Sequence, residues 1–441
     1  MRRYKHYKNS GIEWIGEIPE HWERYRIKYM LSRSVSGVWG NNLKGDNNDT
    51  VCFRISDFDY VHGCLKFDNL TMRNIDSKQL EGRLSKEGDL IIEKSGGGNL
   101  WPVGRVVRVN SNLRATCSNF ACLISARKNI SSNYLYYYFY CMYSRGANLL
   151  YFNQTTGIQN LNIQAYLGQE IFIPLLPEQQ SIANYLDKKC DLIDRMISNL
   201  QKKIELLKEL KSSVISQAVT KGLDPHAKMK DSGIEWIGEI PEHWEIMKTG
   251  LAFRTISSGI TPLSSKKEYY TEKGVCWLQT GDLNDGFIDH TAKQITQKAI
   301  EDYNMKIFPS GSVVIAMYGA TICKVGLLHI DTATNQACCV LSDSKLMTSE
   351  FTYELYLAAK KFLIAKAVGG GQPNISQDII KRFLIPVPPL PEQQSIANYL
   401  DDQCKKIDGA VARAQRKIDL LKEYKTALIS EVVTGKRKVS A

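Results

Sequence analysis

No two cysteines in this chain are spaced CxxC, and the eleven present are an odd number scattered over 441 residues. A disulfide framework is therefore excluded, and the thiols read as reduced, mostly buried side chains of a cytoplasmic protein. Cys52, His62 and Cys64 make a partial zinc set, but their spacing is not standard and a fourth ligand is missing, so no metal is expected. No apolar run approaches the ~20 residues of a spanning helix. The opening MRRYKHYKNS is basic without an apolar stretch, so neither a membrane span nor a secretory signal is expected. The GxxxxGK[ST] phosphate loop is absent as well, so any ATP-driven step must come from another chain.

Against these absences stands an excess of positive charge. The formal net charge is +11, which suits a polyanionic partner. Hydrophobic content of 43% and charged content of 23% are ordinary for a globular protein, and the length allows two or three domains.

The chain is written twice. Residues 8–23 (KNSGIEWIGEIPEHWE) return at 230–245 with one change, Asn9 to Asp231, at a distance of 230 − 8 = 222. The box LPEQQSIANYLD at 176–187 returns at 390–401, a distance of 390 − 176 = 214. After each box, apolar residues step by four and three: Leu186, Cys190, Ile193, Ile197, Leu200, Ile204 and Leu207, then Val214 and Ala218. The second copy carries Leu400, Cys404, Ile407, Val411, Ala414, Ile418 and Leu421, then Leu428 and Val432. That is the heptad seam of a helix packing on a helix, and its one polar break is duplicated as Lys211 and Lys425. A helix over Ser181–Val219 would be ~58 Å long at 1.5 Å per residue. Pro177 and Pro391 suit the first helical turn, and Gly222 and Gly435 suit the stops.

Between the boxes lie two diverged bodies with one outline. Gly88-Asp89 and Gly311-Ser312 each precede a strand-like run, then a glycine-bearing loop (95–104 and 317–326), then a second β-rich run (120–125 and 336–342). The aromatic run Tyr134–Tyr140 and its counterpart FTYELYLAAKKFLIAKAV read as helices on the domain core. The SGGG at 95–98 reads as a turn. Glu93 and Lys94 are neighbours on a strand and point to opposite faces, which argues against a nuclease metal site. The expected fold is α/β: two mixed α/β domains separated by two long antiparallel coiled-coil helices, in an internal pseudo-twofold repeat. The expected segments are 1–175, 176–222, 223–389 and 390–441, with the bodies at opposite ends of the helical bar.

The paired GIEWIGEIPEHWE boxes, the PEQQ boxes ahead of long helices and the order turn–strand–glycine loop resemble the specificity subunit of Type I restriction-modification systems. The likeness covers nearly the whole chain. It implies a non-catalytic subunit whose two target-recognition domains each read one half of a bipartite site in double-stranded DNA. It implies helices that space those domains and dock two methyltransferase (modification) subunits, with restriction/translocase subunits as further partners. S-adenosylmethionine, ATP and Mg are then expected on the partners, and no cofactor on this chain. The absence of an Asn/Asp-Pro-Pro-aromatic motif and of a methyl-donor glycine fingerprint agrees with that division of labour.

Residues for reading DNA are Lys, Arg, Asn, Gln, Ser and Thr on loops. The candidates flank turn signals and lie outside the apolar strand runs: in the first body Trp39, Asn41, Lys44, Arg54, Arg73, Lys94, Ser95 and Arg105; in the second, Thr261, Lys266, Lys267, Gln279, Thr280, Tyr318 and Lys324. A solvated surface residue is the plain alternative for each. Residues identical in both copies cannot distinguish two half-sites, so Trp14, Trp22, Trp236 and Trp244 belong to structure or to a shared partner. Glu178, Gln179 and Gln180, with Glu392, Gln393 and Gln394, are candidates for docking two copies of one partner; ordinary helix capping explains the two glutamates equally well. The competing readings are a coiled-coil scaffold that binds protein ligands and a self-contained restriction-methylation enzyme.

Overall fold

The structure, a computed structural model, describes residues 3–155, 157–367 and 373–439. The chain forms two compact units, Met1–Lys202 with Ala414–Ala441, and Lys203–Arg413. Their boundaries run through the long helices rather than at their ends, because each unit packs one body onto half of each helix.

The two bodies repeat one sheet plan. In the first unit the main sheet runs in the order Leu31–Ser36, Ala121–Ala126, Leu90–Glu93, Val106–Arg108, Cys64–Leu65 and Phe58–Asp59. In the second it runs Thr255–Ser258, Cys338–Ser342, Val313–Ala316, Val325–Leu328 and Gly286–Ile288. The central strands are buried on both faces, which explains why Leu90–Ile92 and Val313–Ala316 are continuous apolar runs rather than alternating ones. Each sheet is covered by a helix, Ser132–Ser144 and Ser349–Ala365, started by Ser131 and Thr348 as N-caps. The tyrosines of the 134–140 run are mostly buried on this helix, as core residues.

The long helices span Leu176–Lys221 and Leu390–Val433, each a little longer than the apolar seam alone predicts. Within each unit they run antiparallel. In the first, Glu178 and Gly435 meet the opening segment through Tyr4 and Tyr7, while farther along Lys425 holds Asp194. In the second, Gly222 lies against Glu392 and Lys211 holds Asp408. The 214-residue offset maps one ion pair onto the other, since 194 + 214 = 408 and 211 + 214 = 425. The polar break in the seam is therefore a matched pair of inter-helix salt bridges.

The duplicated opening boxes close onto the helix ends. Each forms a hairpin, Tyr7–Asn9 with Glu17–Pro19 and Met229–Asp231 with Glu239–Pro241. The strands that follow, Glu23–Arg26 and Glu245–Lys248, pair with Glu170–Ile173 and Leu384–Val387 just before each long helix. Trp22 and Trp244 are fully buried. They pack against Gly435 and Gly222, which have φ of +72° after the last helical turn, where a Cβ would lie 3.3 Å from each indole.

Candidate nucleic-acid interface

Sheet register makes the two bodies comparable residue by residue. Gly37 and Gly259 each press on a backbone carbonyl, that of Cys117 and of Thr334, so closely that a Cβ would lie 2.1 and 1.8 Å from the oxygen. Two residues later stand Trp39 and Thr261. Phe53 pairs with Cys117 and Leu278 with Thr334. The next residues, Arg54 and Gln279, open the same short turn, in which Asp57 and Asp282 accept from their backbone N–H at 2.7 and 2.8 Å. Thr280 follows within that turn. In the glycine loops, Ser95 pairs with Asn160 and Tyr318 with Asn374. Arg105 and Lys324 each immediately precede the return strand. Thus four predicted residues of each body occupy four equivalent positions and differ in type at every one.

The structure spends some of them internally. The Arg105 guanidinium donates to both oxygens of Glu93, at 2.9 and 3.3 Å, and lies 3.7 Å over the Tyr60 ring. Glu93 is buried, and burial pushes its carboxyl up despite that partner. Arg105 therefore acts as a core counter-ion rather than a free reader of bases. Lys324 carries no such duty, because Ala316 stands where the first body has Glu93. Arg54 pairs with Asp57. Arg73 donates to the carbonyls of Trp39 and Gly40 and lies 4.7 Å over the Trp39 ring. It shapes a loop in which Asn41 bridges Asn74 and Lys44 is exposed. Lys94 reaches Ser36 at 3.2 Å, and Ser95 is buried.

In the second body the predicted residues converge better. Thr261, Lys267 and Gln279 line one groove of about 560 Å³, together with Lys293 and Gln294. Gln294 opens a two-residue strand and Lys293 immediately precedes it, and no pattern in the sequence singles either out. Thr261 bonds Gln336, and Lys266 reaches Tyr269 at 3.4 Å.

The PEQQ boxes are largely structural. Glu178 accepts from His21 at 2.9 Å and Tyr4 at 2.6 Å, and Glu392 from His243 at 2.8 Å. Gln179 and Gln393 are buried, which corrects their assignment to partner docking. Gln179 accepts from Ser131 N–H at 3.0 Å and donates to Pro174 O at 2.9 Å. Gln393 accepts from Thr348 N–H at 2.8 Å and donates to the carbonyls of Leu346 and Pro388. Each thus fastens a body helix, at its cap, to the start of a long helix. Gln180 and Gln394 remain exposed. The helices also expose apolar residues that the seam did not use: Leu206 and Leu210 in one unit, Leu420 and Tyr424 in the other. These are equivalent under the 214-residue offset.

The family model of the Type I restriction modification DNA specificity domain matches residues 71–208 and 241–411. This chain belongs to that family. The Type I restriction enzyme MjaVIII specificity subunit of Methanocaldococcus jannaschii is 24% identical over 442 residues, covering 96% of this chain and 94% of the relative. The EcoKI specificity subunit of Escherichia coli is 26% identical over 210 residues, 45% of this chain and 44% of its own. Among solved structures, a chain from work on complex assembly and conformational transition of the type I R-M system superposes with a TM-score of 0.73 at 17% identity, covering 94% of this chain and 98% of that one. The HsdS subunit from Thermoanaerobacter tengcongensis gives 0.54 at 16% identity, covering 95% and 98%.

The fold is therefore that of a specificity subunit, the non-catalytic component that supplies DNA sequence specificity to a restriction-modification complex. Specificity subunits of this family bind DNA and assemble with modification and restriction subunits. Among the described residues no helix is long and apolar enough to cross a membrane.

Proposed function

We propose that each body of this specificity subunit reads one half of an asymmetric, split DNA sequence, and that the long helices set the distance between the halves. One observation carries the reading. Equivalent positions left free of the core hold unlike residues, Trp39 with Thr261 and Arg54 with Gln279, on a common sheet register. A palindromic target would call for like residues at those places. The exposed helix residues Leu206 and Leu210, and their equivalents Leu420 and Tyr424, offer two related apolar surfaces for two modification subunits. In this reading those subunits carry S-adenosylmethionine and methylate adenine N6. A restriction subunit brings ATP- and Mg-dependent cleavage.

The test is a methylome. The chain is co-expressed with its modification subunit in a methylation-free host, and modified adenines are mapped by single-molecule sequencing. One split motif, absent when this chain is omitted, is the expected result. Exchanging residues 246–389 for another such body should change one half of the motif only; a change in both halves would refute the modular reading.

A further inference from the structure

In the first unit, Arg108 fills a socket between the sheet and the long helix. Its guanidinium donates to Asp187 at 2.7 Å and to the His62 carbonyl at 3.3 Å, and it lies 4.5 Å over the Tyr136 ring. Tyr137 adds a second donor to Asp187 at 2.8 Å. The socket's aspartate is thus neutralised from within the chain.

The repeat lets the same socket be located in the second unit. Arg108 pairs with Leu90, the second residue after Gly88, and Leu327 pairs with Val313, the second after Gly311. On their other side Arg108 pairs with Cys64 and Leu327 with Phe287, so Gly63 corresponds to Gly286 and His62 to Asp285. Counted from the caps Ser131 and Thr348, Tyr136 and Tyr137 correspond to Tyr353 and Glu354. Asp187 corresponds to Asp401 through the 214-residue offset. The arginine is therefore replaced by a buried leucine, and a hydrogen-bonding tyrosine by a glutamate.

What remains is a cavity of about 430 Å³, and Asp285, Gly286, Tyr353, Glu354 and Asp401 all line it. Three of its acids already have cations: Asp408 with Lys211, Asp285 with Lys360 and Asp401 with Lys405. The further lysine in the lining, Lys208, is exposed to solvent. The Glu354 Oε2 atom is buried and has no hydrogen-bond partner among the described residues. Burial pushes its carboxyl up to about 7, with Asp401 and Asp408 adding to the effect and Lys211 opposing it. A buried carboxylate left unpaired is costly, and a planar, multiply donating cation is the group that satisfies it best.

We propose that this cavity is a socket for a guanidinium group supplied from outside the chain, entering where the first unit places Arg108 and pairing with Glu354. The guanidinium belongs either to an arginine of a bound protein or to a small free compound. The assignment does not depend on which DNA sequence is read.

Agmatine is the probe, with the full chain at pH 8. It should raise the thermal midpoint by a few degrees beyond sodium chloride of equal ionic strength. The rise should vanish in Glu354→Gln, which keeps the side-chain shape, and in Leu327→Arg, which returns the arginine of the first unit to its place. No rise beyond salt, or an equal rise in Glu354→Gln, would overturn the proposal. Because Leu327→Arg places a charge in a core position, Glu354→Gln alone decides if that variant fails to fold. Repeating the titration with the modification subunit bound separates the sources. Loss of the agmatine response assigns the guanidinium to the partner; its persistence assigns it to a free ligand.

Discussion

At the residue scale, equivalent positions in the two bodies carry different burdens. Removing Arg105 leaves Glu93 buried without a counter-ion, so Arg105→Ala should cost about 3–5 kcal/mol of stability. Lys324→Ala, at the equivalent place but facing Ala316, should cost less than about 0.5 kcal/mol, and should weaken DNA binding instead. Chemical denaturation and a DNA titration on both variants distinguish these outcomes. Glu354 makes the opposite kind of contribution. Its carboxyl is raised from the ordinary 4.5 to about 7, so the folded chain holds that proton more tightly than the unfolded chain does. Stability conferred by the protonated form is full below about 4.5 and is lost as the pH rises through 7, a difference of about 3 kcal/mol at most. Glu354→Gln should therefore be more stable than the parent at pH 8 and equal to it near pH 4, read from unfolding midpoints across that range.

At the element scale, one ion pair occurs twice in different surroundings. Lys425 and Asp194 are nearly buried, their side chains 13% and 9% exposed, and Lys425 also donates to Val61 O at 3.0 Å. Lys211 and Asp408 are 32% and 59% exposed. Lys425→Ala, which strands Asp194 in the seam, should cost about 3–5 kcal/mol. Lys211→Ala should cost no more than about 1 kcal/mol, since solvent already screens that pair. Equal losses would mean that the pairs serve register alone and that burial does not matter. The helices themselves are legible from sequence because a four-three apolar step repeated over so many turns has no other stable use. Their starts were legible too, from Pro177 and Pro391.

At the scale of the whole molecule, the proposed function makes the helices a ruler and the net charge an electrostatic guide. Inserting one heptad into both helices adds about 10.5 Å at 1.5 Å per residue, close to three base pairs of 3.4 Å each. The methylated motif should gain a spacer of about that size with both halves unchanged, and an unchanged spacer would separate helix length from site geometry. With an excess of +11, binding to a target duplex should fall steeply with salt, by about 10³-fold or more between 50 and 200 mM if six phosphates are contacted. A scaffold binding an apolar protein ligand would not show that slope.

The sequence by itself determined the duplication, the paired seams, the α/β bodies and the family, because each rests on local spacing that survives without contacts. It also brought out residues at equivalent places in both bodies, since the two bodies repeat the same turns and glycine loops. Only the tertiary structure decided what those residues do. Gln179 and Gln393 lie in boxes shared by both copies, a pattern that fits a docking surface as well as a fastening, and burial against Ser131 and Thr348 makes them fastenings. Arg105 and Lys324 look alike in sequence, yet a glutamate 12 residues earlier claims one and not the other. Lys293 and Gln294 enter the groove of Thr261 and Gln279 through strand pairing across the chain. Partners remote in sequence set burial and charge balance, and no local pattern encodes them.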